Sequence, residues 1–191
     1  LYHFHTKPRN NGHSNQYKSN FSSNQSRNAS LQLSKLHRQI VRIDNVEKLL
    51  QHYKEHRSKY SAINLATVIT KIGKLSKNQR HELSEHRRSI DRILGDCKMR
   101  AEEFQPRNVA NILSAMTKCE ALKKKQLYEI FEDIIVRKIN EFNCQALSNV
   151  LWSYAKAGVK SPSVFDTIEK QTLLKINEFN SLLQYRRSCS N

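Results

Sequence analysis

The chain has 191 residues, with 33 Lys or Arg against 17 Asp or Glu, a net charge of +16 and a pI near 9.9. Four glycines and three prolines are too few for a Gly-rich cofactor loop, a collagenous chain or a turn-rich all-β protein, and no apolar run approaches the ~20 residues of a membrane span. The basic excess points to a polyanionic partner, nucleic acid first, over a merely solubilising surface.

Residues 1–43 read as a disordered basic leader. Asn10 to Ser30 is rich in Asn, Ser and His, and no acid precedes Asp44, while Lys7, Arg9, Lys18, Arg27, Lys35, Arg38 and Arg42 do. That composition suits an organelle transit peptide, and equally a basic tail that touches RNA itself. The first residue is Leu1, so an incomplete sequence is expected. From Asp44 the pattern turns helical. Val46, Leu49, Leu50 and Tyr53 recur at spacings of three and four, with Asp44 or Asn45 as cap, giving an initial helix over 44–59. Further helices are predicted at about 62–74, 78–100, 106–118, 123–140, 145–157 and 163–177. Pro106 and Pro162 suit a first helical turn, Ser161 a cap and Gly158 a stop. Cys97, Cys119, Cys144 and Cys189 form no CxxC pair and read as reduced thiols, mostly core fillers.

An internal repeat organises residues 60–180. Lys138-Ile139-Asn140-Glu141-Phe142-Asn143 recurs verbatim from Lys175 to Asn180, a period of 37 residues. Phe104 lies 38 residues before Phe142, and Tyr60 lies 44 before Phe104, with an insertion around 76–90. Each unit is a pair of helices, A then B. Counting each aromatic as zero, positions five, eight, nine and twelve form one apolar face of helix A (Leu65, Val109, Leu147; Val68, Ile112, Val150; Ile69, Leu113, Leu151; Ile72, Met116, Tyr154). Small residues at six and thirteen (Ala66 and Gly73, Ala110 and Thr117, Ser148 and Ala155) invite close approach of a neighbouring helix. Positions four, seven, eleven and fourteen form a polar face: Asn64, Thr67, Lys71, Lys74, then Asn108, Asn111, Ala115, Lys118, then Ala146, Asn149, Ser153, Lys156. Two helices cannot bury such an apolar face alone. The expected fold is therefore all-α, an α-solenoid of about three two-helix repeats of 37–44 residues. Residues 181–191 leave the frame, since Gln184, Arg187 and Ser188 stand where apolar residues belong. They read as a polar end or, preferably, as a truncated one.

The segment FNCQALSNVLWSYAK, Phe142 to Lys156, resembles the signature of octotricopeptide and heptatricopeptide repeats, the helical repeats of organelle RNA-binding proteins akin to the FAST-kinase-like family. YSAINLATVITKIGKL, from Tyr60, resembles the first repeat of such arrays, and Asn45 to His56 the helix before it. The resemblance covers roughly 43–180. It implies RNA binding in a mitochondrion or plastid, in processing, stabilisation, splicing or translation. Many members end in a nuclease-like RAP domain, and nothing in this sequence reads as one.

In a curved array the A helices line the concave side. The amides of Asn64, Asn108, Asn111 and Asn149 can read base edges there, with Thr67 and Ser153 beside them. Lys71 and the rung Lys74, Lys118 and Lys156 can follow a phosphate backbone. Trp152 could stack on a base, and Tyr154, on the apolar face, reads rather as core. The competing reading makes these residues solvated helix faces, with a recurring Asn that bonds a neighbouring backbone. Lys123-Lys124-Lys125, Arg87-Arg88 and Arg186-Arg187 are further basic clusters, of which the first opens a B helix against its dipole. Enzyme signatures do not emerge. His81 and His86 in HELSEH are five apart instead of the zinc-protease four, and His52 and His56 lack an evident third ligand. No cofactor, metal or catalysis is expected. The alternatives to an RNA-binding protein are a protein-binding scaffold in an organelle assembly and a piece of a larger RNA-processing enzyme.

Overall fold

The computed structural model describes residues 35–176, and the calls for a disordered leader over 1–34 and an off-frame end over 181–191 lie outside them. The described chain is all-helical and contains no strand. Helix α1 covers residues 35–42. It is followed by α2 (Val46–His56), α3 (Ala62–Leu75), α4 (Arg80–Glu85), α5 (Arg87–Met99), α6 (Pro106–Lys118), α7 (Lys125–Arg137), α8 (Cys144–Ala157) and α9 (Pro162–Leu174).

Local chemistry sets these boundaries. Asn45 caps α2 by accepting from the Lys48 N–H, and the Ser161 hydroxyl accepts from the Val164 N–H at the start of α9. Pro106 and Pro162 occupy first turns, where the missing N–H costs nothing. Gly158 ends α8 in the left-handed region with φ 66°, a conformation strained for any side chain with a Cβ. One joint occurs three times. A short 3-10 turn (Arg57–Lys59, Ala101–Glu103, Ile139–Glu141) runs into an extended residue with a buried ring, Tyr60, Phe104 or Phe142, and the next residue caps α3, α6 or α8. A cation from the far end of the following helix pair then fastens the joint. Arg100 donates to the Tyr60 carbonyl at 2.6 Å, Lys138 to that of Glu102 at 3.1 Å and Lys175 to that of Phe142 at 3.1 Å.

The helices form two layers. In one, α3 packs along α6 and α6 along α8. The other contains α2, α5, α7 and α9, each reached through the turn before or after its partner helix. The core lies between the layers. Val68, Ile69, Ile72, Ile112, Leu113, Met116, Val150 and Tyr154 are fully buried from one side, and Ile90, Ile93, Phe131 and Ile135 from the other. Of the small residues at positions six and thirteen, Gly73 brings a neighbour close, since a Cβ there would stand 2.8 Å from the Ala115 Cβ and 2.9 Å from its Cα, whereas Ser148 and Ala155 are exposed.

Three sequence expectations change. Residues 35–42, assigned to the leader, are helical, and Leu36 and Ile40 are buried. The helix expected over 78–100 breaks at His86 into α4 and α5. The helix expected over 123–140 runs from Lys125 to Arg137 and ends in a 3-10 turn.

Candidate nucleic-acid interface

The layer of α3, α6 and α8 contains no Asp or Glu. It carries Lys71 and Lys74, Arg107 and Lys118, and Lys156. By contrast, α5, α7 and α9 together carry seven cations and seven acids. The ion pairs lie in the second layer and its turns, although Arg88, Arg92, Lys98 and Lys170 of that layer take part in none of them. Arg57 meets Asp96 at 2.8 Å, Lys124 meets Asp91 at 2.9 Å, Arg100 meets Glu103 at 2.5 Å and Arg137 meets Glu102. Lys74, Lys118 and Lys156 are exposed and have no acidic partner among the described residues. Exposed pairs of this kind add little stability, but they cancel charge, so between the two layers the excess lies on α3, α6 and α8, beside α1, whose Lys35, Arg38 and Arg42 also have no acid among them.

Position by position, the polar face is narrower than the sequence suggests. Asn64 is 1% exposed, and its Oδ1 accepts from the Ser61 N–H and hydroxyl, so it caps α3 and presents nothing to a base. Ser153 is fully buried and donates to the Asn149 carbonyl. Ala115, in the same column, is buried under Gly73. Thr67 donates to the Ile63 carbonyl and lies beside His37. Lys71 is half-buried and donates to the Val41 carbonyl of α1 at 2.8 Å. Burial and the neighbouring Lys74 charge both lower its pKa, against a weaker pull from Asp44. Trp152 is 48% exposed, at position ten, where Thr70 and Ser114 are half-buried. Tyr154 is core, its hydroxyl donating to the Tyr128 carbonyl at 2.8 Å.

Of the remaining predicted residues, Lys74, Asn108, Asn111 and Asn149 come together in two gaps between neighbouring helices, whereas Lys118, Lys156 and Trp152 line neither. A cavity of about 260 Å³ between α3 and α6 is lined by Ala66, Thr67, Lys71, Lys74, Asn108 and Asn111. A second, of about 220 Å³ between α6 and α8, is lined by Arg107, Ala110, Asn111, Asn143, Gln145 and Asn149. Both gaps use positions six and seven of one helix with four and seven of the next. Small Ala66 and Ala110 open the floor, and Asn111 borders both. Asn108 spends its Oδ1 on the Gln105 N–H and Asn143 its Oδ1 on the Ala146 N–H, which leaves their amide NH₂ groups as donors. Arg107, Asn143 and Gln145 were missed from the sequence. Arg107 and Gln145 share position three with Ile63, a column exposed in all three helices, which the repeat frame already contained.

No group of His, Cys, Asp and Glu among the described residues could hold a metal ion, and no described helix is long and apolar enough to cross a membrane. His52 and His56 stack edge to face, with the His52 Nδ1 2.6 Å from the Tyr60 hydroxyl, an arrangement that serves packing. Burial pushes the Cys97 thiol up to about 12, so it stays protonated and inert. No family model, no curated protein and no solved structure matches this chain.

Proposed function

We propose that this chain is a short α-solenoid of two-helix repeats, of the octotricopeptide and heptatricopeptide kind, that holds single-stranded RNA along α3, α6 and α8. The carrying observation is the charge division: five cations and no acid in that layer, beside a second layer in balance. A phosphate chain gains from cations that have no acid to satisfy, because each contact releases condensed counterions. Lys74, Lys118 and Lys156 recur once per helix at the same position and follow the backbone. The two amide-lined gaps each suit the edge of one unpaired base, read by Asn108 and Asn111 in the first and by Asn111, Asn149 and Gln145 in the second. No aromatic ring lines either gap, so recognition proceeds through hydrogen bonds at base edges and not through stacking. The protein positions or protects RNA in a mitochondrion or plastid and leaves the chemistry to others.

The test is fluorescence anisotropy with a labelled single-stranded RNA pool across a salt series. Binding weakens with salt, and replacing Lys74, Lys118 and Lys156 by Ala lowers the slope of log K on log salt by about 2, at roughly 0.7 per phosphate contact. An absence of RNA affinity at low salt sinks the proposal. The second reading, a protein-binding scaffold, is favoured by exposed Trp152 in α8 and by exposed Leu173, Leu174 and Ile176 at and just after the end of α9.

A further inference from the structure

The connection after α3 is longer than those after α6 and α8, and the added residues enclose a cavity. Helix α4 packs against α2 and α5, and Gln79 ties this insertion down by accepting from the Val46 N–H at 2.9 Å. Leu83 is buried, and between α4 with the start of α5 and the end of α6 with the Glu120–Leu122 turn lies a space of about 690 Å³. That is within the usual 300–1,000 Å³ of small-molecule sites. Leu83, Cys119, Ala121 and the Thr117 methyl supply apolar wall, to which Ser76 and Ser84 add hydroxyls. Three cations from three separate elements line it: Arg87 opens α5, Lys118 closes α6, and Lys123 follows the turn. Glu120 is paired with Lys123 at 2.6 Å, and Asp91, which Arg87 approaches at 3.5 Å, is already held by Lys124 at 2.9 Å. The described side chains therefore leave an excess of positive charge on this hollow.

We infer that this cavity binds a nucleoside monophosphate unit, its phosphate on Arg87 and Lys118 and its body against Leu83 and Ala121. A guanidinium and an ammonium group from different directions, with Lys123 spent on Glu120, suit a many-acceptor anion such as a phosphate better than a single carboxylate. Lys118 also belongs to the lysine row of the neighbouring face, so the unit has two sources: a free mononucleotide, or a nucleotide of a strand lying on that row. The free ligand requires nothing of the RNA reading.

The experiment is titration calorimetry of the full chain with the four nucleoside monophosphates, uridine and inorganic phosphate, beside RNA anisotropy, on the wild type and two variants. Arg87→Gln removes a rim charge. Ala121→Phe fills the hollow without changing charge, and the urea midpoint of each variant verifies folding. A mononucleotide that binds, with uridine and phosphate each weaker, and that loses about tenfold in affinity in both variants establishes the free ligand. Loss of RNA affinity in Ala121→Phe with no mononucleotide binding assigns the cavity to the strand. The inference is overturned where Ala121→Phe alters neither binding, including where Arg87→Gln alone weakens RNA, since that is charge and not a site. Should Ala121→Phe fail to fold, mononucleotide binding that is absent, or indifferent to both Arg87→Gln and Lys118→Gln, overturns it.

Discussion

Asn64 and Asn111 are the same residue on adjacent helices, both assigned to RNA by sequence pattern, and their surroundings separate them. The oxygen of Asn64 is spent on Ser61 inside the fold. Asn64→Ala is expected to lower stability by about 1 kcal/mol, as for lost caps, and to leave RNA affinity unchanged. Asn111→Ala reverses this, with a RNA loss of about tenfold for a base contact and an unmoved urea midpoint. Glycines divide in the same way. Gly73→Ala drives a methyl into the Ala115 backbone and costs about 1–3 kcal/mol, whereas Gly95→Ala meets nothing within 4 Å and, in a helix interior, stabilises by about 0.5–1 kcal/mol. Urea denaturation separates these signs. His52 gives a pH signature. Burial lowers its pKa, His56 adds to the effect and Glu55 opposes it. The unfolded chain, titrating near the ordinary 6.5, takes its proton first. Stability is thus fully present above about pH 6.5 and falls as pH drops through that value toward the lower folded pKa. His52→Gln flattens that fall in chemical denaturation at pH 5 to 7.

Among the elements, α1 shows where a composition argument fails. A stretch of eight helical residues inside an acid-free, polar segment looks like leader, yet Leu36 and Ile40, one turn apart, are buried in the main core. Ile40→Ala is expected to cost about 2–5 kcal/mol, measurable as a lowered unfolding midpoint, where a leader residue would cost nothing. The α3, α6 and α8 helices were legible because their signals are local: a proline, a cap, a buried ring and apolar spacing of three and four. Position eleven was not legible. A helical wheel gives the direction of a side chain but not where the neighbouring helix stands. Contact at Gly73 draws α6 so close that Ala115 leaves the exposed face for the seam, and Ser153 likewise is buried. Lys71 was misjudged for the same reason, since α1, absent from the expected fold, supplies the carbonyl it binds. The insertion around 76–90 was visible in the spacing, but the hollow it encloses depends on how α4 packs and left no mark in the sequence.

For the whole molecule, the net charge of +16 is less informative than its division between layers. A generic polyanion effect predicts that any two cations matter equally. The division predicts otherwise: replacing Lys125 and Arg137, which are paired with Glu129 and Glu102, leaves RNA affinity within about twofold, whereas replacing Lys118 and Lys156 lowers both affinity and salt slope. Anisotropy at two salt concentrations distinguishes the cases.

Of the three helices in that layer, α6 has a neighbour on each side, while the small residues of α8 at positions six and thirteen, Ser148 and Ala155, are exposed, although Ala66, Gly73 and Ala110 are covered. The only tryptophan, Trp152, lies between them. A helix covered on one face opens more readily than one covered on both. Tryptophan emission therefore reports the loosening of α8 and α9, while far-ultraviolet dichroism reports the whole stack. The emission midpoint in urea is expected to precede the dichroism midpoint, and amide exchange to be slowest in α6. Coincident midpoints would mean that the helices melt as one cooperative unit.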